Sequence, residues 1–271
     1  METRFIEANG LRFAYLEEGN GPLVIALHGF PDTANSWDHA RPRIAAKGYR
    51  VVTPWTRGYF PTAVPDRDAD LETLARDVLA LIAALGEESA IVIGHDWGAA
   101  TAYAAATLEP ARVKQLITIA IPHPATLKPT PLALWAARHF VAYKLAGAAG
   151  RFAKHDFAAL PKICKRWSPL WEPSAEDLAP VREAFSHRES LDAAFGYYRE
   201  LRFRPQAFFK THITVPTVAF AGLDDPLIKP LQYHRAARMF DAGYKVEEMR
   251  GGHFMHREHP EEFATKLLAN L

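Results

Sequence analysis

The segment Gly94-His95-Asp96-Trp97-Gly98 has the glycine spacing of a tight strand-to-helix turn that carries a nucleophile at its centre. The glycines suit such a turn because a Cβ at either position would collide with neighbouring backbone. Serine is the usual central residue, and here it is Asp96. A carboxylate is a good nucleophile for displacement at a saturated carbon, since the resulting alkyl ester can then be hydrolysed. Taken alone, the segment is also compatible with an aspartate that caps a helix.

Two later loops contain the partners that such a nucleophile needs. His253 follows Gly251-Gly252 and would act as general base on water. An acid that orients this histidine is expected between nucleophile and histidine in the chain, and Asp224-Asp225-Pro226 supplies two candidates. Spacing from Gly222 favours Asp225, while Asp224, or a simple turn made by both, stays as an alternative.

An oxyanion hole is expected beside the nucleophile. His28-Gly29-Phe30-Pro31 follows an early apolar run, so the backbone N–H groups of Phe30 and Trp97 are candidates to stabilise a tetrahedral intermediate. His253, His256 and His259 are spaced by three, but no HExxH pattern is present and Pro260 interrupts the segment. We therefore predict neither a metal nor a cofactor.

These residues stand at the ends of predicted strands. Short apolar runs predict eight strands near 4–7, 11–16, 23–27, 51–54, 90–94, 115–121, 215–222 and 245–249. Helical patterns alternate with them at 36–47, 71–85, 99–108, 230–240 and 260–271. This alternation predicts a mostly parallel sheet flanked by helices, with sites at the carboxyl ends of its strands. The stretch between the sixth and seventh strands is helical and rich in aromatic residues, so we assign 1–124 and 206–271 to the core and 125–205 to a helical cap.

The composition is that of a globular enzyme with an unremarkable surface. Hydrophobic residues make up 49% of the 271 residues, and 32 basic residues balance 31 acidic ones. Such a balance predicts no nucleic-acid partner. The single cysteine, Cys164, allows no internal disulfide, and we find neither a signal-peptide pattern nor an apolar run of the roughly 18–20 residues that cross a bilayer. We expect a cytoplasmic protein that binds no membrane.

The motifs together resemble the epoxide hydrolases of the α/β-hydrolase family. The resemblance covers nearly the whole chain. The residues that carry it are His28 to Pro31 with Ser36-Trp37, Arg57-Gly58-Tyr59, Gly94 to Gly98, Gly222 to Asp225, Gly252-His253-Phe254, and Leu191 to Arg199. It implies the α/β-hydrolase fold and a small apolar epoxide substrate. The epoxide would be opened to a vicinal diol through an ester on Asp96, hydrolysed by water that His253 activates. A monomer or homodimer is expected.

In that family two cap tyrosines usually bind the epoxide oxygen and protonate it. Tyr198 matches the second of them, whereas the register places His139 where the first is expected. Imidazole can donate a hydrogen bond as well, and Tyr143 is the alternative partner one helical turn away. A further departure is Trp55, where relatives usually have an aspartate; we expect it to affect packing and not the triad.

Two other functions are compatible with the motifs. A haloalkane dehalogenase would use the same Asp96, Asp225 and His253, with Trp97 and a second donor such as Trp135 holding the halide. A halide leaves without a proton, so Tyr198 has less purpose in that reaction. A non-catalytic binding protein on the same fold is the third option, because a fold alone never proves activity.

Overall fold

A single sheet of eight strands organises the protein. The computed structural model describes residues 1–127, 138–201 and 206–271. The strands are β1 (Arg4–Ala8), β2 (Leu11–Glu18), β3 (Leu23–Leu27), β4 (Arg50–Pro54), β5 (Ala90–His95), β6 (Val113–Ile119), β7 (Thr217–Gly222) and β8 (Tyr244–Met249). Their order across the sheet is β1-β2-β4-β3-β5-β6-β7-β8. β1 and β2 are antiparallel to their neighbours and the other six strands are parallel.

The central strands are continuous apolar runs because helices cover both faces of the sheet. Every residue of β3 and β5 is buried. The helices of the core are Arg41–Ala46, Leu71–Ala84, Trp97–Leu108, Pro230–Ala236, Met255–Glu258 and Pro260–Leu268. The helix Leu71–Ala84 begins where the Asp70 side chain accepts a hydrogen bond from the Thr73 N–H.

Several predicted boundaries shift for local reasons. The predicted strand at 215–222 begins at Thr217, since Pro216 has no N–H to donate to a ladder. The predicted strand at 115–121 ends at Ile119, and the next residue, Ala120, has a φ of 67° that an extended strand does not allow. The predicted helix at 36–47 is a 3-10 turn at Ala34–Trp37 followed by the short helix Arg41–Ala46.

Helices fill the described part of the segment between β6 and β7. They are Arg138–Lys144, Ala148–Phe152, Lys154–Phe157, Ala159–Trp167, Ala175–Ser186 and Arg188–Glu200. The predicted fold class, a mostly parallel sheet of eight strands flanked by helices, is therefore confirmed, and helices occupy the described part of the predicted cap. The exact cap limits stay a prediction, and residue 205 lies outside the described residues. Among the described helices, none combines the length and apolar character needed to cross a membrane.

The cap is docked on the core through the loop after β4. The Tyr197 hydroxyl donates to the Arg57 carbonyl over 2.7 Å, and the Phe60 N–H donates to Ser190 Oγ over 2.8 Å. Buried aromatic side chains of the cap pack directly against Phe30 and Trp97 of the core in one apolar cluster. This cluster forms a roof over the carboxyl ends of β3 and β5, where the predicted nucleophile stands.

Candidate active site

Asp96 occupies the strained turn that the glycine spacing predicts. It lies between β5 and the helix Trp97–Leu108 with φ 53° and ψ −116°, a conformation that is costly for a residue with a Cβ. A Cβ on Gly94 would lie 2.2 Å from the Gly98 carbonyl oxygen, and one on Gly98 would lie 2.4 Å from the Leu27 carbonyl oxygen. Glycine is therefore required on both sides of Asp96 by close backbone packing.

The two oxygens of the Asp96 carboxylate have different partners. Oδ1 accepts a hydrogen bond from the Phe30 N–H over 2.8 Å, and Oδ2 lies 3.4 Å from His253 Nε2. Within the described residues, the Trp97 N–H donates no hydrogen bond to this carboxylate. Burial by itself raises the pKa of Asp96, but the adjacent His253 outweighs it, so the pKa is lowered. Asp96 is thus an ionised, largely buried carboxylate.

His28 orients the loop that carries the Phe30 N–H. The Thr56 N–H donates to His28 Nε2 over 3.1 Å, so that nitrogen carries no proton. His28 Nδ1–H therefore donates to the Gly29 carbonyl, 2.9 Å away. Burial lowers the pKa of His28 and keeps this tautomer neutral.

His253 stands in the loop after β8, with its ring buried beside Asp96. Burial by itself lowers the pKa of His253. The adjacent Asp96 and the charges of Asp225 and Glu258 raise it by more than burial lowers it, so the pKa lies above the ordinary 6.5. The raised pKa of His253 and the lowered pKa of Asp96 share one cause, the attraction between imidazolium and carboxylate across the 3.4 Å between Nε2 and Oδ2.

The structure separates the two candidate acids. Asp225 is 1% exposed, and its Oδ1 accepts hydrogen bonds from the N–H groups of Leu227 and Ile228. Its Oδ2 has no hydrogen-bond partner among the described residues, and burial raises the pKa of Asp225 against the opposing charge of His253. Asp224 instead accepts the Gly251 N–H over 2.9 Å and braces the histidine loop. Burial and charge therefore favour Asp225, although no direct hydrogen bond between its carboxylate and His253 is formed within the described chain.

Three aromatic rings of the cap, those of Tyr198, Tyr143 and His139, lie together in this roof. Tyr198 is 1% exposed, and its ring centroid lies 5.2 Å from that of Trp97. The ring centroid of Tyr143 is 4.9 Å from that of Tyr198, and the centroid of His139 is 6.4 Å from it. Burial and the charge of Asp96 raise the pKa of Tyr198 well above 10, so the phenol keeps its proton. Both candidate partners of Tyr198 are in place, and Tyr143 is the nearer. Trp135, the second donor considered for a halide, lies outside the described residues.

Two cap residues beside His253 escaped the sequence analysis. The ring centroid of Trp167 lies 5.1 Å from that of His253, and Ser168 Oγ accepts the Phe254 N–H over 2.9 Å. Neither belongs to a recognisable motif, because a cap position acquires its role only when the cap closes on the core.

One group of possible metal ligands is present, but it differs from the three histidines considered above. Among the described residues, ligand atoms of Asp32, His95 and His256 lie within 4.8 Å of one another. The Asp32 carboxylate already accepts from Ser36 Oγ over 2.7 Å and from Arg257 over 3.2 Å. This carboxylate is therefore neutralised by the protein itself, which argues against a cation there.

The fold and this geometry agree with the similarity to known proteins. Residues 22–260 match the family model described as alpha/beta hydrolase fold. The AB hydrolase superfamily protein YfhM of Bacillus subtilis is 30% identical, and the match covers 96% of this chain and 94% of that protein. The chain therefore belongs to the α/β-hydrolase fold family, and it is a hydrolase.

Within that family, the similarity to epoxide hydrolases is confirmed. Epoxide hydrolase A of Mycobacterium tuberculosis is 27% identical, over 98% of this chain and 95% of that protein. The crystal structure of Epoxide Hydrolase A from Mycobacterium thermoresistibile matches with a TM-score of 0.85 at 25% identity, covering 100% of this chain and 98% of that one.

Proposed function

We propose that this protein is an epoxide hydrolase that opens a small apolar epoxide to a vicinal diol. The observation that carries the proposal is the pairing of Asp96, an ionised carboxylate on a strained turn, with the buried phenol of Tyr198 in the roof above it. A nucleophile and a nearby proton donor suit an epoxide, whose oxygen must be protonated as its C–O bond breaks. The similarity to named epoxide hydrolases supports the same substrate class.

In the first step, Asp96 Oδ2 attacks the less hindered epoxide carbon, because Oδ1 is engaged by the Phe30 N–H. A carbon–oxygen bond forms at Oδ2 and the epoxide C–O bond breaks. The proton of Tyr198 passes to the departing oxygen, with Tyr143 or His139 as the second donor. A phenol is suitable since the developing alkoxide is much more basic than a phenolate, whose conjugate acid has a pKa of about 10. The product is an alkyl ester on Asp96 and a phenolate.

In the second step, His253 removes a proton from water, which attacks the carbonyl carbon of the Asp96 ester. Negative charge develops on Oδ1, which already accepts the Phe30 N–H over 2.8 Å, and Trp97 N–H is the proposed second donor. The intermediate collapses with cleavage of the Cγ–Oδ2 bond: the diol leaves with Oδ2 and takes the proton from His253, and the oxygen and second proton of water stay in the Asp96 carboxyl group. The remaining proton restores the phenol, so the cycle consumes one epoxide and one water. Asp225 stabilises the imidazolium through its buried charge.

Trapping the ester tests this proposal. His253→Gln is incubated with styrene oxide or a bromoalkane and analysed by mass spectrometry for an alkyl adduct on Asp96. We expect the adduct to accumulate in this variant, while the exposed His234→Gln control turns over like the wild type. The absence of adducts and of diol across broad epoxide and halide panels would refute the enzyme proposal.

The haloalkane dehalogenase remains the second candidate, since it would form the same ester. Tyr198 favours the epoxide because a departing halide needs no proton. Three further parts of the proposal rest on the sequence alone. They are the cap limits 125–205, a cytoplasmic location, and a monomeric or homodimeric state.

A further inference from the structure

The backbone of His253 is held on both sides by parts of the protein that are distant in sequence. Its N–H donates to the carbonyl of Trp167 in the cap over 2.9 Å. Its carbonyl accepts from His95 Nε2, also over 2.9 Å, and His95 is the residue before the nucleophile. Burial lowers the pKa of His95 to about 4, so this donor stays neutral at working pH. The peptide of the general base is thus fixed between the cap and the nucleophile turn.

Ser168 extends the cap side of this arrangement. It is fully buried, and its Oγ accepts the N–H of Phe254, the residue after the general base, over 2.9 Å. Its own backbone is fixed as well, since its N–H donates to the Cys164 carbonyl and its carbonyl accepts from the Trp171 N–H. The serine is therefore a rigid acceptor at the end of the helix Ala159–Trp167.

The core side of the contact is shaped to admit this segment of the cap. A Cβ added to Gly252 would lie 2.6 Å from the Trp167 carbonyl oxygen and 2.7 Å from Ser168 Cα. Gly251 beside it has a φ of 102°, so two adjacent glycines precede His253. Glycine by itself restricts the backbone little, so hydrogen bonds to this loop help to hold the imidazole 3.4 Å from Asp96 Oδ2.

We propose that Ser168 is a positioning residue for the general base: the cap end Trp167–Ser168 sets the place of His253, so the cap takes part in the hydrolytic step as well as in substrate binding. This inference rests on the proposed role of His253. The cap tyrosines serve the first step and Ser168 serves the second, through a different helix. A cap that lifted as a whole would break the two backbone bonds at His253 and Phe254, so turnover requires this edge to stay closed.

The inference separates the two steps of the reaction. In Ser168→Ala, alkylation of Asp96 should continue close to the wild-type rate, because the nucleophile turn, the Phe30 N–H and Tyr198, which serve this step, lie outside the histidine loop. Hydrolysis of the ester slows about tenfold, the usual effect of removing one buried hydrogen bond from a positioned group. The alkylated fraction of Asp96 at steady state therefore rises.

A matched control is available in the same cap. Ser190 is also fully buried, and its Oγ also accepts a backbone N–H from the core, that of Phe60, over 2.8 Å. Ser190→Ala removes the same kind of cap-to-core bond far from His253. It should leave the ratio of the two rate constants unchanged. Gly252→Ala provides a second perturbation of the proposed contact, since the added Cβ would collide with the Trp167 carbonyl and with Ser168 while the serine hydroxyl is retained.

The experiment measures single-turnover alkylation and hydrolysis with styrene oxide, together with NMR titration of the His253 ring, in the wild type and the three variants. Asp96, Asp225 and Glu258 hold the pKa of His253 above 6.5. A loosened loop should bring this pKa back toward 6.5 in Ser168→Ala and Gly252→Ala, but not in Ser190→Ala. The titration needs no substrate, so it decides on the positioning role even if the wild type forms no ester, a result that would refute the proposed function alone.

Two results would overturn the inference. One is a Ser168→Ala protein with the hydrolysis rate and His253 titration of the wild type. The other is an equal change in Ser190→Ala, which would show general loosening of the cap. If Ser168→Ala does not fold, the same two measurements on Gly252→Ala decide the question.

Discussion

Gly29 lies against the nucleophile so closely that a single methyl group there should disable the site. A Cβ on Gly29 would lie 2.4 Å from Asp96 Cβ, 2.5 Å from Oδ1 and 2.8 Å from Cγ. Carbon atoms in contact normally lie about 3.5–4.0 Å apart. Gly29→Ala must therefore displace either the Asp96 side chain or the loop carrying Phe30 by about 1 Å.

The size of the effect follows from what that displacement breaks. The Phe30 N–H donates to Asp96 Oδ1 over 2.8 Å, and a shift of this size weakens or removes the bond. Loss of one oxyanion donor costs about 10²–10³ in rate, and misplacing a reacting group by about 1 Å costs about 10²-fold. Because both arise from one movement, they do not multiply, and we expect a loss on the order of 10²–10³ in turnover.

The assay compares diol formation from styrene oxide with the thermal unfolding of each protein. Gly150→Ala is the matched control, because an added Cβ there meets no heavy atom within 4 Å and the residue lies in the cap helix Ala148–Phe152. This control should keep full activity and gain up to about 1 kcal/mol of stability. A folded Gly29→Ala protein within threefold of wild-type turnover would refute the assigned contact between this loop and the nucleophile.

Three further outcomes are expected. Tyr198→Phe should lower epoxide turnover by about 10²–10⁴ and leave any dehalogenation largely intact; equal losses on both substrates would contradict its role as proton donor. Asp225→Asn should nearly abolish ester hydrolysis while Asp224→Asn retains most of it, and the reverse order in a rapid-quench assay would identify Asp224 as the acid. Esterification removes the Asp96 charge that raises the pKa of His253, while burial, which lowers it, persists. The rate of ester hydrolysis should therefore fall off toward acid pH with a midpoint below the His253 pKa that NMR gives for the free enzyme. A midpoint at higher pH would exclude His253 as the base.

Much of the fold could be predicted because local signals and global packing agree. The apolar runs that became β3 and β5 are buried throughout, and the glycines around Asp96 are required because a Cβ on either would lie 2.2–2.4 Å from a backbone oxygen. Boundaries shifted where one residue overrode a pattern, as Pro216 did by lacking a donor. The helical character of the segment between β6 and β7 could be predicted as well, because its aromatic content and lack of strand periodicity distinguish it from the core.

The sequence by itself determined which residues could serve the proposed chemistry, because the Asp96 turn, the Asp224-Asp225 loop and the His253 loop are local motifs at the ends of strands. Only the tertiary structure decided which groups meet. It buried Asp225 near His253 while Asp224 braces Gly251, and it placed Tyr143 nearer than His139 to Tyr198. It also brought the end of a cap helix to the backbone of the general base. Contacts of this kind join residues tens of positions apart, so they depend on how the cap closes on the sheet and leave no local pattern in the chain.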